Sequence, residues 1–248
     1  MSNSCTVCGF LLSSGTLSDH LAEMLHRAKE KQGGWIVTLN TEMLARGVRT
    51  PEYLDLIRQA DLVVADGMPL VWATQKRKCA NPVTERTTGV DLINLFLSLE
   101  NIPNYAIIGG VDPDVTLAQY PRAKDSCKFL FTGIVDLSDA QINDFCETLV
   151  REDIGIAFLA LGVPKQDKLA LAIRKLAPHV VTIGVGGTFE ILGPDGGRAP
   201  QWMQNNGLEW LYRLLSEPQR LWKRYLIEYP LGISLLIKDH IKTREISQ

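Results

Sequence analysis

Short apolar runs alternate along this chain with longer segments in which apolar side chains recur every three or four positions. The runs WIVTLN (35–40), DLVVAD (61–66), NYAIIGG (104–110), IGIAFLALG (154–162) and VVTIGVGG (180–187) lack polar alternation, which predicts strands buried on both faces. Between them, LSDHLAEMLHRAKEK (17–31), PEYLDLIRQA (51–60), GVDLINLFLSLE (89–100), DAQINDFCETLVRE (139–152) and KQDKLALAIRKLA (165–177) carry the helical period. Strand and helix in turn predict an α/β fold: a Rossmann-like, largely parallel sheet flanked by helices. After about Gly193 the strand pattern stops. PDGGRAPQWMQNNG (194–207) then leads into a helical tail with proline-marked breaks at Glu217-Pro218 and Tyr229-Pro230. We therefore expect an α/β core over residues 1–195 and a C-terminal helical appendage over 196–248.

Composition narrows the class. The chain has 248 residues, 46% of them hydrophobic, enough for one sizeable core. No run approaches a membrane span, and the N-terminus has no basic region and only a short apolar stretch, so a secretory signal is not expected. The five cysteines (Cys5, Cys8, Cys79, Cys127, Cys146) are scattered and odd in number, so free thiols in a reducing compartment are expected, with Cys5 and Cys8 on a strand. The Cys5-x-x-Cys8 pair has no second pair at zinc-ribbon spacing. Charge is uneven: residues 197–248 hold eight basic and five acidic side chains, whereas the chain as a whole carries −2. The basic excess belongs to the tail, where an anionic surface would be met.

In open parallel sheets, ligands bind beyond the carboxyl ends of the strands, where helix N-termini present free N–H groups. Thr38 and Asn40, Asp66, Gly109 and Gly110, Lys165 and Gln166, and Gly186 and Gly187 all fall at such ends. Each alone is an ordinary turn or cap residue type; Asp66, followed by Gly67 and Pro69, reads by itself as a strand end before a helix. No GxGxxG follows the first of these strands, and no GxxxxGK[ST] occurs, which removes most weight from dinucleotide and P-loop readings. Asp112-Pro113-Asp114 resembles the DxD metal motif of sugar-nucleotide enzymes, but Asp112 also suits a helix N-cap with Pro113 in the first turn, and the cap is the reading adopted. The four histidines show no triad context.

Taken together, TLNTEML (38–44), ADGMPLVW (65–72), ERTTGVDL (85–92), LGVPKQD (161–167) and the long stretch from Val185 to Leu226 closely resemble the WecG/TagA/CpsF glycosyltransferase family, in order over roughly residues 7–226. The resemblance implies an inverting, metal-independent enzyme without a cofactor. Such an enzyme moves a hexose-type sugar, often N-acetylmannosamine or its uronic acid, from UDP to an undecaprenyl-diphosphate-linked acceptor sugar in cell-envelope synthesis. It implies Asp66 as catalytic base, with Thr38 and Asn40 lining the pocket and Arg86 and Gln166 on the donor. Lys165, Gly186 and Gly187 join them as strand-end candidates. Asp91 is either a site residue or a helix-start carboxylate bonded to backbone, and Glu85 either touches ligand or pairs with an arginine.

The tail EWLYRLLSEPQRLWKRYL (209–226) sets an apolar stripe beside bases, the mixture an interfacial segment needs. The resemblance implies that it binds the membrane and completes the site, with Arg213, Arg220 and Arg224 reaching a diphosphate or lipid head groups. The expected partners are thus a UDP-sugar, a lipid-linked acceptor, the inner face of the cytoplasmic membrane and, through the apolar tail, a second subunit; no nucleic acid is expected. A nucleotide-sugar oxidoreductase or epimerase, or a non-catalytic sugar-nucleotide sensor, is the alternative. The former predicts a glycine-rich first turn that is missing here.

Overall fold

The computed structural model describes residues 4–77, 79–194 and 196–246. A hairpin of β1 (Ser4–Val7) and β2 (Phe10–Ser13) is followed by α1 (Leu17–Lys29), β3 (Gly34–Leu39), α2 (Thr41–Arg49), α3 (Pro51–Ile57), β4 (Leu62–Ala65) and α4 (Met68–Lys76). The middle of the chain forms α5 (Gly89–Leu97), β5 (Tyr105–Gly109), α6 (Pro113–Leu117), α7 (Pro121–Ser126), β6 (Cys127–Phe131), α8 (Asp139–Arg151), β7 (Ile156–Ala160), α9 (Lys165–Leu176), β8 (Val181–Gly184) and α10 (Thr188–Leu192). The rest is helical: α11 (Gln201–Asn205), α12 (Glu209–Ser216), α13 (Pro218–Lys223), a π-helical turn (Arg224–Glu228) and α14 (Tyr229–Ile246).

The strands form one sheet in the order β1-β2-β4-β3-β8-β7-β5-β6, parallel except for the β1/β2 hairpin. Alternate side chains serve opposite faces. Trp35, Val37, Leu39, Ala106, Ile108, Ala157 and Leu159 pack under α2, α3, α4, α8 and α9, while Ile36, Tyr105, Ile107, Ile156 and Phe158 pack under α1, α5, α6, α7 and α10. Both faces are therefore apolar, which is why these strands show no polar alternation. The five expected strands are β3, β4, β5, β7 and β8. β1 is the strand expected to carry Cys5; β2, next to it, and β6, at the other edge of the sheet, are unforeseen, because exposure of Leu11 and the half-buried run of β6 blur the pattern.

Three expectations need correction. Cys8 lies in the turn after β1 with φ +51, not on a strand, and Cys5 is not free: it is disulfide-bonded to Cys79, Cα–Cα 5.7 Å. The sheet order brings β1 against α4, so cysteines 74 positions apart in sequence meet, a proximity that spacing does not reveal. The break expected at Tyr229-Pro230 is also absent. Tyr229 keeps helical angles (φ −59, ψ −49), and the π-helical turn runs straight into α14. A widened turn just before a proline accommodates its missing N–H and its ring. The break at Glu217-Pro218 is present, with Pro218 opening α13.

The tail folds back on the sheet domain. Leu236 of α14 is buried in the same core as α2. At Gly232 an added Cβ would lie 2.1 Å from Thr41 O, so α14 approaches α2 as closely as backbone allows. Ion pairs Arg49–Glu228 and Arg77–Asp239 fasten the two ends of this contact. Its outer side leaves Leu215, Trp222, Leu226, Ile237 and Ile241 exposed. No helix among the described residues is long and apolar enough to cross a membrane.

Candidate active site

β3 and β4 pair in register, Leu39 opposite Ala65, so the residues that follow them emerge side by side. Asp66 N donates to Leu39 O at 2.8 Å, and Thr87 N to Ala65 O at 2.8 Å, which pins the carboxyl end of β4 between two loops. Gly67, at φ +131, turns the chain at once into α4, whose first turn holds Pro69. Asp66 is thus not the cap of α4. Its side chain faces a cavity of about 250 Å³ over the ends of β3, β4, β7 and β8. The sheet order changes direction here: the chain leaves β3 for β4 on one side and returns to β8 on the other.

Among the described residues, no hydrogen bond reaches the Asp66 carboxylate. Burial pushes its carboxyl up from the ordinary 3.8 to about 6; Arg86 and Arg224 pull the other way, and Glu209 and Asp91 add to the rise. An unpaired carboxylate ionising near neutrality inside a cleft is suited to accept a proton.

Thr38 lines the cavity and donates to Gly184 O at 3.2 Å, tying β3 to β8. Asn40 also lines it while capping α2, its Oδ1 accepting from Met43 N at 3.0 Å. Gln166 enters from α9 and accepts from Gly186 N at 3.2 Å. Gly186, at φ +52, has open space where a Cβ would stand, so with Gly187 it offers bare backbone to a ligand. Arg86 reaches the cavity from the loop before α5.

The tail closes the other wall. Arg213, Arg220 and Arg224 all line the cavity beside Trp210, Tyr225 and Tyr229. Arg220 is held by Glu217 at 2.5 and 2.7 Å, and Arg224 Nε stands 3.0 Å from Glu42 Oε2 but out of line for a hydrogen bond. The Arg213 side chain makes no ion pair or hydrogen bond with another described residue, and its backbone O accepts from Glu217 N at 2.9 Å. Three guanidinium groups over one wall can take up the charge of a diphosphate.

Other candidates lie elsewhere, Gly109 and Gly110 of the β5 end among them. Lys165 donates to Val135 O at 2.8 Å and does not line the cavity. It opens α9, and the helical turn sends its side chain away from the pocket while Gln166 points in. Asp91 is also outside the lining. Its backbone N donates to Thr88 Oγ1 at 3.0 Å, its carboxylate accepts from Thr88 Oγ1 at 2.7 Å, and it pairs with Arg198. That makes it a helix-start carboxylate, held by hydroxyl and guanidinium, not by backbone N–H groups. Glu85 likewise turns outward and accepts from Leu17 N at 2.6 Å. Asp112 occupies the N-cap position of α6 at φ +44, yet its side chain makes no capping hydrogen bond, and neither Asp112 nor Asp114 lines the cavity.

Sequence reasoning passed over Glu42, Thr88, Glu209, Tyr225 and Tyr229, all of which line the cavity. Glu42 and Glu209 sit inside the quoted motifs, so motif membership was their available signal. A larger hollow of about 740 Å³ lies at the opposite ends of the strands, around Ile102, Ile154 and His179, and no arginine is among the described residues that line it.

The chain is 32% identical over 223 residues, 88% of its length and 84% of the relative's, to the N-acetylglucosaminyldiphosphoundecaprenol N-acetyl-beta-D-mannosaminyltransferase of Bacillus subtilis (strain 168). The sequence model of the glycosyl transferase WecG/TagA/CpsF family matches residues 5–246. With nearly the whole chain matched, this protein belongs to the WecG/TagA/CpsF family of glycosyltransferases.

Proposed function

We propose that the enzyme transfers a hexose-type sugar of the N-acetylmannosamine kind from UDP to a sugar on undecaprenyl diphosphate, with inversion and without a metal ion. The observation that carries this reading is the unpaired Asp66 carboxylate, held near neutrality by burial at the floor of a cavity walled by arginines. Asp66 takes the proton from the acceptor hydroxyl as its oxygen bonds to the anomeric carbon. On the opposite face the bond to UDP breaks, and the nucleotide leaves with its electron pair. One displacement inverts the anomeric centre.

Arg86, Arg213, Arg220 and Arg224 supply the positive charge that meets the departing diphosphate, the work a divalent cation does elsewhere. Thr38, Asn40 and Gln166, with the bare backbone at Gly186 and Gly187, orient the sugar and nucleotide. The relative's name motivates the acceptor class, a sugar on a polyprenyl diphosphate. The exposed Trp222, Leu226, Ile237 and Ile241 beside Lys223 suit adsorption to an anionic surface, so we place the protein peripherally on the cytoplasmic face of the membrane.

The test is a turnover screen of UDP-sugars against a short-chain prenyl-diphosphate-linked N-acetylglucosamine, with Asp66→Asn as control. Transfer from UDP-N-acetylmannosamine or its uronate, absent in the variant, is expected. No transfer from any UDP-sugar would overturn the reading.

A further inference from the structure

Four charged groups beside Asp66 form a chain that crosses from the sheet domain to the tail. Asp91, fixed at the start of α5 by Thr88, pairs with Arg198; Arg198 Nε lies 3.8 Å from Glu209 Oε1; and Glu209 Oε2 holds Arg86 Nη1 at 2.8 Å. The Arg86 and Glu209 side chains are only 17% and 14% exposed, and both line the cavity. Where side chains are this little exposed a guanidinium and an unpaired carboxylate attract, and Arg86 is the foremost cation acting on Asp66. It is instead paired with Glu209, and among the described residues Asp66 is left without an ion-pair or hydrogen-bond partner.

We propose that Glu209 is a positioning residue: by holding Arg86 it keeps that guanidinium off Asp66, so that docking of α12 leaves the base free for the acceptor's proton. The inference rests on the reading of Asp66 as base. It also gives the tail a role beyond supplying arginines, because the carboxylate that restrains Arg86 arrives with α12. Once the donor is bound, its diphosphate offers Arg86 a second anion, and the guanidinium can shift toward it without passing to Asp66.

The groups acting on Asp66 are Arg86 and Arg224, which favour its ionised form, and Glu209 and Asp91, which oppose it; Arg198, Tyr225 and Tyr229 also face it. Removing the Glu209 charge deletes one opposing influence and frees a favouring one, so both effects have the same sign. The base becomes more acidic and weaker.

The experiment is steady-state kinetics between pH 5 and 9 on the full chain, for the parent, Glu209→Gln, Glu209→Asp and Asp66→Asn. For Glu209→Gln we expect kcat to fall tenfold or more, the acid limb to move down by about one pH unit, and the donor KM not to rise. Glu209→Asp keeps the carboxylate and should recover part of the rate, with its limb near the parent's. The double variant Arg86→Gln/Glu209→Gln removes both charges together; its limb should return toward the parent's, and it serves if the single variant does not fold.

A folded Glu209→Gln whose limb does not move, or whose donor KM rises at unchanged kcat, would overturn the inference. So would a double variant whose limb stays a full unit below the parent's. Full turnover by Asp66→Asn would remove the base reading itself. An inactive Asp66→Asn beside an unmoved Glu209→Gln limb would defeat the Glu209 inference alone.

Discussion

Replacing Asp66 with Asn distinguishes a catalytic carboxylate from a structural one by the sign of its effect on stability. The folded chain raises this carboxyl from 3.8 to about 6, chiefly by burying it. A group harder to ionise when folded makes the folded state bind more protons than the unfolded state between those two values. Stability is therefore lost as pH climbs from about 4 to about 6, and it stays lost above that. A rise of roughly two units corresponds to about 3 kcal/mol as an upper limit. Asn has the same shape and no charge at any pH, so Asp66→Asn should be more stable than the parent at pH 8 by about 1–3 kcal/mol. For a chain of this length each 1 kcal/mol moves Tm by about 2–4 °C. Below 3.8 the carboxyl is neutral in both states and the gain should vanish; at pH 4.5 it should have shrunk to about a third of its value at pH 8. Urea denaturation at pH 4.5 and pH 8 measures both values, and transfer assays on the same preparations should show at least about a hundredfold loss of rate with donor binding retained. A variant less stable than the parent at pH 8 would mean that the carboxylate is an acceptor the fold needs, and the argument for a destabilised base would fail.

Because Asp66 must be ionised to accept a proton, the rate of the parent should fall as pH drops through about 6, and an acid limb below pH 4.5 would contradict the buried-base account. EDTA should leave the rate intact; loss of activity restored by Mn²⁺ would reverse the assignment of the diphosphate charge to arginines. Deleting residues from about Asn205 onward should abolish both vesicle binding and transfer, and a truncated chain still active on a lipid-linked acceptor would contradict the role given to the tail. Gly232→Val should destabilise by about 1–3 kcal/mol, since its Cβ meets Thr41 O at 2.1 Å, and an unchanged denaturation midpoint would show that α14 is not packed on α2. Alkylation of the unreduced, unfolded protein should modify Cys8, Cys127 and Cys146 but not Cys5 or Cys79, and five modified thiols would exclude the pairing.

The sequence by itself determined the alternation of buried strands and amphipathic helices, and with it the parallel sheet and the end of that sheet where chemistry can sit. Those features are local: a strand apolar on both faces needs a covered sheet, and the residue after it necessarily lies at the sheet's carboxyl edge. Hence Asp66, Thr38, Asn40 and Gln166 could be gathered before any coordinates, and the resemblance carried by the motifs named the family. What only the tertiary structure decided is which way side chains at equal sequence standing turn. Lys165 and Gln166 are adjacent, yet one reaches Val135 O and the other the cavity, because a helix turns neighbouring side chains by about 100° and packing sets the phase. Asp91 and Glu209 are both motif acids, but Asp91 is drawn to Thr88 and Arg198 while Glu209 is carried to Arg86 by a helix more than a hundred residues away in sequence. The Cys5–Cys79 pairing, the seating of α14 on α2 and the lack of an ion pair at Asp66 among the described residues depend on contacts between distant segments. Such contacts leave no periodic trace in either partner, and the folded chain alone brings them together.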